Sequence, residues 1–261
     1  MKNIRAILTF VIIFTISLVI VRNTKTKERY GIYNGLLVSG VQTQLLSILD
    51  SGSRLEDVGM RVAYQLARRS VVKVEVNTSV GSGLIWEISD DGIVIASNRH
   101  LLMKDVKAGI TFCNGEAADA EIIGYSQQYD VGFLKVDGSD VTKNILRHIY
   151  EAVPTEDEYT AGIPVLQIAA DLTGVGDNFS TGSILEIAYE PVFNTNVIRT
   201  QCYSKAGMSG GGVFDAGGRL LGMLSGGEVA DDAAVREAEV SLSLPAALIS
   251  EEYRVLIGNR G

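Results

Sequence analysis

The sequence predicts an all-β fold, a sandwich or barrels, for the larger part of the chain. From residue 70 onward, roughly a dozen short runs are rich in Val, Ile, Leu and aromatic residues. Turn signals such as SDDG, CNGE and DAGG separate these runs, and hardly any helical periodicity lies between them. Closely spaced short strands without intervening helices indicate an all-β architecture.

The predicted strands follow one another in chain order. They are VVKVEV (71–76), GLIWEI (83–88), GIVIAS (92–97), AGITF (108–112), AEIIGY (120–125), VGFLKV (131–136), PVLQIA (164–169), GSILEI (182–187), NVIRTQ (196–201), GGVF (211–214) and LLGML (220–224). A helix is expected only near the end, at PAALISEEYRVL.

The residues before the first strand predict a membrane anchor and a stem. Residues 6–21 are almost entirely apolar, which is close to the lower limit for spanning a bilayer, and no small-x-small cleavage site follows. We therefore expect an uncleaved signal anchor, whose orientation the flanking basic residues leave open. The predicted segments are a basic tail (1–5), a transmembrane signal anchor (6–22), a juxtamembrane stem (23–69) and a β-rich domain (70–261).

One short amphipathic helix is predicted within the stem. Ser53 and Glu56 form a capping-box pattern, and Leu55, Val58 and Val62 are spaced as on one helical face. We expect a helix over about 54–68 that packs against the domain.

The composition excludes several classes of function. Hydrophobic residues make up 46% and charged residues 21% of the chain, which is ordinary for a globular protein, and the net charge of −8 argues against nucleic-acid binding. No phosphate-binding loop or zinc-protease signature is present, so no cofactor and no metal are expected. Cys113 and Cys202 are expected to be separate, semi-buried thiols, with a disulfide as the less favoured alternative.

The stretch AGMSGGGVFD (206–215) places a serine among glycines ahead of a short strand. A serine that attacks a carbonyl needs a base, a carboxylate that orients the base, and N–H donors for the oxyanion. A tight turn at Gly207, Met208 and Ser209 would aim successive N–H groups at a point beside the Ser209 hydroxyl. Small residues would also leave room for substrate.

The base must be His100 or His148, the only two histidines of the chain. His100 follows the strand GIVIAS and is favoured, whereas His148 lies beside acidic residues where a surface histidine needs no explanation. Asp130 opens an apolar strand and is the favoured carboxylate. Its rivals lie in polar turns and are expected to be solvated: Asp105, Asp119, Asp157 and Asp177.

These segments resemble the trypsin-like serine peptidases of the chymotrypsin fold, most closely the bacterial HtrA (Deg) type. GSG (81–83), IVIASNRHLL, YDVGFLKVD and GMSGGGVFDAGGRLLGMLSG follow the order and spacing of that family, over about residues 70–257. The resemblance implies two packed β-barrels with a cleft between them. The HtrA type typically carries a PDZ domain as well, but this sequence leaves no room for one after the last predicted strand, so a core without that domain is expected.

The resemblance implies a role for each residue of the motif. His100 is the general base, Asp130 orients it, and Ser209 is the nucleophile. The oxyanion hole is formed by the backbone N–H groups of Gly207 and Ser209, with Met208 between them.

The same resemblance implies how substrate is bound. Ser225, Gly226 and Gly227 form the strand edge along which an extended peptide pairs, and Tyr203 lies at the floor of the primary specificity pocket. Small or medium apolar residues are expected in that pocket. An alternative preference for basic residues would follow from the nearby acidic side chains of Glu228, Asp231 and Asp232.

The chain departs from the family pattern at two places. Met208 replaces the usual Asn or Asp before the nucleophile, so activation by a newly cut amino terminus is not expected. Arg99 and Leu101 flank the base where the family usually has TNAHV.

The favoured function is a membrane-anchored serine endopeptidase that acts on proteins or peptides, single-pass in the cell membrane, with the peptidase domain outside the cytoplasm. The first alternative is a protease-fold module that binds or senses peptides with little or no turnover. The second is a peptidase that faces the cytoplasm. The lipid bilayer is the expected partner of the N-terminal helix, and the sequence predicts no oligomeric state.

Overall fold

The computed structural model describes residues 55–155, 158–171, 174, 176–228 and 237–256. The chain divides into two units, Met1–Val58 and Gly59–Gly261. The predicted tail, anchor and most of the stem lie outside the described residues. Within the described ranges, no helix has both the length and the apolar character needed to cross a membrane.

The first barrel is closed by six antiparallel strands. These are β1 (Val71–Val76), β2 (Ser79–Ser89), β3 (Gly92–Ser97), β4 (Lys107–Thr111), β5 (Ala117–Tyr125) and β6 (Gly132–Asp137). Their order around the barrel is β1-β2-β3-β6-β5-β4, and the pairing of β1 with β4 closes it.

The second barrel repeats this arrangement. Its six strands are β7 (Pro164–Ala170), β8 (Asp177–Glu190), β9 (Thr195–Thr200), β11 (Gly212–Phe214), β12 (Leu220–Glu228) and β14 (Val240–Pro245). They follow the order β11-β12-β14-β9-β8-β7, and β11 pairs with β7 to close the barrel. A small ribbon of β10 (Ser204–Lys205) and β13 (Glu237–Ala238) is separate. The all-β prediction of two barrels is therefore confirmed.

Four α-helices accompany the strands in the described part of the chain. They are α1 (Leu55–Ala67), α2 (Arg99–Leu102), α3 (Lys143–His148) and α4 (Ala246–Leu256). The positions of α1 and α4 match the two predicted helices. Tyr64 of α1 donates a hydrogen bond to Asp177 of β8 at 2.6 Å, and Arg68, just after α1, pairs with the same carboxylate at 3.0 Å.

A continuous apolar core joins the two barrels. Leu84 and Phe133 of the first barrel belong to the same buried cluster as Leu166, Phe214 and Met223 of the second. Buried aliphatic and aromatic side chains are the main source of folding free energy. The two barrels therefore share the interior that stabilises them.

The two cysteines are free thiols, as the sequence predicted. Cys202 is buried in the second barrel, whereas Cys113 is partly exposed and its Sγ donates to the His148 carbonyl at 3.2 Å. Burial raises the pKa of both thiols, so both are protonated at neutral pH.

Candidate active site

His100 and Asp130 are brought together by the pairing of β3 with β6. Ser97 at the end of β3 is opposite Gly132 at the start of β6, so the residues after one strand and before the other lie at the same end of the barrel. The His100 Nδ1 lies 2.8 Å from Asp130 Oδ2, and the His100 N–H donates to Asp130 Oδ1 at 2.9 Å. One carboxylate thus holds both the ring and the backbone of His100.

This pairing decides what the imidazole can do. The Asp130 side chain is 16% exposed and the His100 side chain is 50% exposed, so the ring is accessible while its partner is largely covered. When Nδ1 donates to a carboxylate, the neutral ring keeps a lone pair on Nε2. The geometry suits a general base whose tautomer is held by Asp130.

His148 does not take part in this arrangement. It ends α3, and its Nδ1 lies 2.7 Å from the Asn144 carbonyl of the same helix.

The turn that precedes Ser209 is ordered by backbone hydrogen bonds. The Met208 N–H donates to the Lys205 carbonyl at 3.2 Å, and the Gly211 N–H donates to the Met208 carbonyl at 3.0 Å. The Met208 side chain is buried and clusters with Ala169 and Leu224. An apolar contact thus fixes the residue directly before Ser209.

Two N–H groups of this turn have no acceptor among the residues that the structure describes, those of Gly207 and Ser209. Nearly all buried backbone donors in proteins are hydrogen-bonded, whereas Gly207 and Ser209 are both partly exposed and can take a partner from outside the fold. Met208 is different, because its N–H is already used by Lys205. Gly207 and Ser209 are therefore the donors that an incoming oxygen could engage.

The backbone of Ser209 lies against the first barrel, near the residue that follows His100. Its carbonyl accepts a hydrogen bond from the Ser82 N–H at 2.7 Å. A Cβ placed on Gly81 would lie 2.6 Å from Leu101 Cδ2 and 3.1 Å from the Ser209 oxygen. Leu101, the residue after His100, and the Ser209 backbone thus meet over Gly81.

Within the described ranges, no hydrogen bond joins the Ser209 hydroxyl to the His100 ring. Catalytic hydrogen bonds are often long without substrate and shorten in the substrate complex.

Gly210 shows why the stretch after the serine needs glycine. Its φ of +86° lies in the left-handed region, and a Cβ there would lie 1.9 Å from the Ser82 carbonyl oxygen. The second barrel approaches the first so closely at this point that no side chain fits.

Asn98 is a site residue that the sequence analysis did not single out. It is fully buried, and its Nδ2 donates to Ser225 Oγ at 2.8 Å and to the Asp130 carbonyl at 3.2 Å. This side chain links the strand end that carries His100, the Asp130 loop and the start of the predicted substrate edge. A polar residue directly after the buried strand β3 was the available signal.

The residues predicted to bind substrate occupy two places. Ser225, Gly226 and Gly227 lie on β12, where Ser225 is buried and bonded to Asn98. Tyr203 lies between β9 and β10 with 40% of its surface exposed, and its carbonyl accepts from Gln167 Nε2 at 2.8 Å.

Glu228, one of the acidic residues that could favour a basic substrate residue, is already paired. Glu228 Oε1 lies 2.6 Å from an Arg199 nitrogen, whereas the other two acidic residues, Asp231 and Asp232, lie outside the described residues. Because Arg199 already neutralises the Glu228 carboxylate, Glu228 attracts a basic substrate side chain less strongly.

A cleft of about 230 Å³ opens beside His100. It is lined by Arg99, His100, Met103, Gln128, Tyr129, Asp130, Val192 and Phe193. No group of metal-ligating side chains is found within the described part of the chain.

Comparison with known proteins places the chain in a family. Residues 81–223, more than half of the chain, match the family model described as the trypsin-like peptidase domain. The chain therefore belongs to the trypsin-like peptidase family, and its sequence relatives include proteins of the HtrA type.

Two curated relatives and one solved structure illustrate this. Serine protease Do-like HtrA of Lactococcus lactis is 23% identical over 157 residues, which cover 56% of this chain and 36% of the relative. Protease Do-like 1, chloroplastic, of Arabidopsis thaliana is 28% identical over 158 residues, or 58% of this chain and 34% of the relative. The chain spans about a third of the length of these two relatives.

The structure of the HtrA-type protease AlgW with a tripeptide shares the fold. It aligns with a TM-score of 0.62 and 21% identity, covering 76% of this chain and 63% of that one.

Proposed function

We propose that this protein is a serine endopeptidase that cleaves peptide bonds through an acyl-enzyme on Ser209. The observation that carries the proposal is the His100–Asp130 pair, whose neighbour Leu101 meets the Ser209 backbone over Gly81. Ser209 Oγ attacks the scissile carbonyl while His100 Nε2 takes its proton. The ring then gives that proton to the leaving amine, and a water molecule hydrolyses the acyl-enzyme by the same route in reverse.

The oxyanion is stabilised by the two unused N–H groups of Gly207 and Ser209. Each such donor typically contributes about 10²–10³-fold to the rate. The buried Met208 side chain anchors the turn that presents them.

Substrate lies in extended form along β12. Ser225, Gly226 and Gly227 offer the backbone edge, and adding a strand to an exposed sheet edge is a common way of binding an extended peptide. The related HtrA-type protease AlgW was solved with a tripeptide, which supports the binding of peptides by a protein of this kind. The residue that is cleaved directs its side chain towards Tyr203, and we propose small or medium apolar residues there.

We further propose that residues 6–22 anchor the protein in the cell membrane with the peptidase domain outside the cytoplasm. The apolar run supports the anchor. The resemblance to tethered HtrA-type peptidases, whose peptidase domains lie outside the cytoplasm, supports the side of the membrane on which the domain is placed. Added protease should degrade the C-terminal domain in intact cells if this is correct. A domain that is protected until the cells are lysed would favour the cytoplasm-facing alternative.

A fluorophosphonate probe tests the catalytic proposal. The purified full chain, in mild detergent, should be labelled on Ser209, and Ser209→Ala should abolish labelling while circular dichroism shows an unchanged fold. Ser139→Ala, which changes an exposed serine of the first barrel, is the matched control and should be labelled like the parent. Equal labelling of the parent and Ser209→Ala, or a folded parent that is not labelled, refutes the proposal.

The second candidate is a peptide-binding module with weak or no turnover. It is favoured by the lack of a hydrogen bond between the Ser209 hydroxyl and the His100 ring in the described part of the chain. It predicts peptide binding by Ser209→Ala with no cleavage by the parent chain.

A further inference from the structure

The turn between β8 and β9 carries two apolar side chains at a position where solvent-exposed turns usually carry polar ones. Pro191, Val192, Phe193 and Asn194 form this hairpin tip. The Phe193 N–H donates to the Glu190 carbonyl at 3.1 Å, and Asn194 takes a φ of +52°. These features define an ordered turn, in which an asparagine tolerates the left-handed conformation.

The hairpin tip forms one wall of the cleft beside His100. Val192 and Phe193 line this cleft together with His100 and Asp130. Val192 is 83% exposed, so an apolar side chain stands open to solvent at the rim of the site. Water next to such a surface is released when an apolar group covers it.

Phe193 also lies over the strand on which substrate is proposed to pair. A Cβ placed on Gly226 would be 3.2 Å from Phe193 Cζ. The ring therefore occupies the space above Gly226, and it bounds the path of a peptide that runs along β12.

The opposite wall comes from the first barrel and is partly apolar. Met103 and Tyr129 line it. Arg99 is the cation of this wall, but its guanidinium donates to the Gln127 carbonyl at 2.9 Å and lies 5.8 Å from the centre of the Tyr125 ring. That charge is thus already engaged on the first barrel.

An ion-pair network holds the base of the hairpin. Arg199 of β9 pairs with Glu190 at the end of β8 at 2.8 Å and with Glu228 at the end of β12 at 2.6 Å. The hairpin and the substrate strand are therefore tied to each other. A wall that is fixed before binding loses little conformational entropy when a ligand packs on it.

We infer that Val192 and Phe193 select a large apolar side chain, such as Leu or Phe, at one position of the substrate. That position is directly before the residue whose carbonyl Ser209 attacks. Successive side chains of an extended peptide point to opposite sides. If the cleaved residue points towards Tyr203, the residue before it points towards His100 and the hairpin tip. This assignment rests on the proposed function for the position of the scissile bond.

Peptide binding without turnover tests the inference. Fluorescein-labelled hexapeptides Ala-Ala-Xaa-Val-Ser-Ala, with Leu, Phe, Gly or Asp at Xaa, are titrated into the full Ser209→Ala chain by fluorescence anisotropy. We expect the Leu and Phe peptides to bind about tenfold more tightly than the Gly peptide, as partial burial of one large apolar side chain allows. The Asp peptide should bind no better than the Gly peptide.

Substitutions at the tip should remove this discrimination. In the Ser209→Ala background, Val192→Asp should bring the affinity ratio of the Leu and Gly peptides close to one, mainly by weakening the binding of the Leu peptide. Phe193→Ala should lower the same ratio. Because the Phe193 ring is half-buried, its loss can disturb folding, and Val192→Asp tests the inference at an exposed position instead. Leu185→Asp, an exposed position of β8 that does not line the cleft, is the matched control and should keep the ratio of the parent.

The outcomes separate the inference from the proposed function. Three results overturn the inference, even if fluorophosphonate labels Ser209 in the unsubstituted chain. They are a Leu-to-Gly affinity ratio near one in Ser209→Ala, no binding of any of the four peptides, and a ratio that is unchanged by both tip substitutions. A tenfold ratio that the tip substitutions abolish supports it, even if the parent chain proves not to be labelled.

Discussion

Asp130 serves the site through two different atoms of its carboxylate. Oδ2 accepts from the His100 ring and Oδ1 accepts from the His100 backbone N–H, while the Asp130 main-chain oxygen accepts from Asn98. Asn98 in turn bonds Ser225 on the predicted substrate edge. Four residues from three separate parts of the sequence thus form one connected set of hydrogen bonds.

Replacing the Asp130 carboxylate by an amide is the most direct test at this scale. Asp130→Asn keeps the size of the side chain but can present an N–H to Nδ1, which would favour the wrong tautomer of His100. We expect kcat for peptide cleavage to fall by about 10⁴-fold, with a much smaller change in KM.

Asp105→Asn is the control for this substitution. Asp105 is exposed, and its carboxylate accepts from the N–H of the next residue, Val106. Steady-state kinetics should therefore show parent-like rates for Asp105→Asn. A loss of less than tenfold in Asp130→Asn would mean that the ring is oriented in some other way.

Among the elements, α1 is fastened to the second barrel by a polar contact. Asp177 of β8 accepts hydrogen bonds from Tyr64 and from Arg68, and the Tyr64 ring packs against Phe179 at 5.1 Å between centroids. Burial, together with the bond to the Asp177 carboxylate, raises the pKa of Tyr64 to about 12. The interaction is made by the protonated phenol.

Removing the Tyr64 hydroxyl should weaken the docking of α1 in a pH-dependent way. We expect Tyr64→Phe to lower the free energy of unfolding by about 1 kcal/mol at neutral pH. Because the folded pKa exceeds the ordinary value of about 10, this stabilisation is complete below pH 10. It is lost as the pH rises through about 12.

Urea unfolding at pH 8 and absorbance titration of tyrosinate check this expectation. The parent should ionise one more tyrosine above pH 11 than Tyr64→Phe does. Equal numbers of late-ionising tyrosines in the two proteins would contradict the assignment.

For the whole molecule, Ser82 marks where the two barrels meet. Its Oγ accepts from the Ala170 N–H of the second barrel at 3.0 Å, and its N–H donates to the Ser209 carbonyl at 2.7 Å. Gly210 packs directly on its carbonyl oxygen. With the shared apolar core, these contacts predict that the barrels unfold together.

One natural probe in each barrel can test this coupling. Trp86, the only tryptophan, reports on the first barrel by fluorescence, and Cys202 reports on the second by its reactivity with Ellman's reagent in a Cys113→Ser background. Ser241→Ala removes a bond of 2.7 Å to the Cys202 carbonyl, entirely within the second barrel. We expect it to destabilise the protein by about 1 kcal/mol and to shift the urea midpoint of both probes equally. A shift confined to Cys202 would show two independent units.

The sequence predicted the strands well because most of them are apolar runs between clear turns. It missed β14, where SLSL reads as a half-exposed strand, although Ser241 and Ser243 are both fully buried. The short helix α3 was missed as well. A six-residue helix has too few turns for its periodicity to be read from sequence.

The site was predictable only where its residues lie at strand ends. His100 and Asp130 could be paired on that ground, whereas Asn98 depends on a partner in the second barrel, 127 residues further along the chain. The role of Val192 and Phe193 could not be read either. These two residues face His100 only because of the way in which the two barrels pack, and no local sequence pattern encodes that packing.

Cys113 and Cys202 form no disulfide, and this determines in which compartments the chain can fold. Both barrels close through hydrogen bonds and apolar packing, and the only two thiols of the chain contribute no covalent cross-link. Folding thus requires neither an oxidant nor a disulfide isomerase. The same native state is open to the chain in a reducing cell interior and in an oxidising exterior, so export would change its surroundings without changing its architecture.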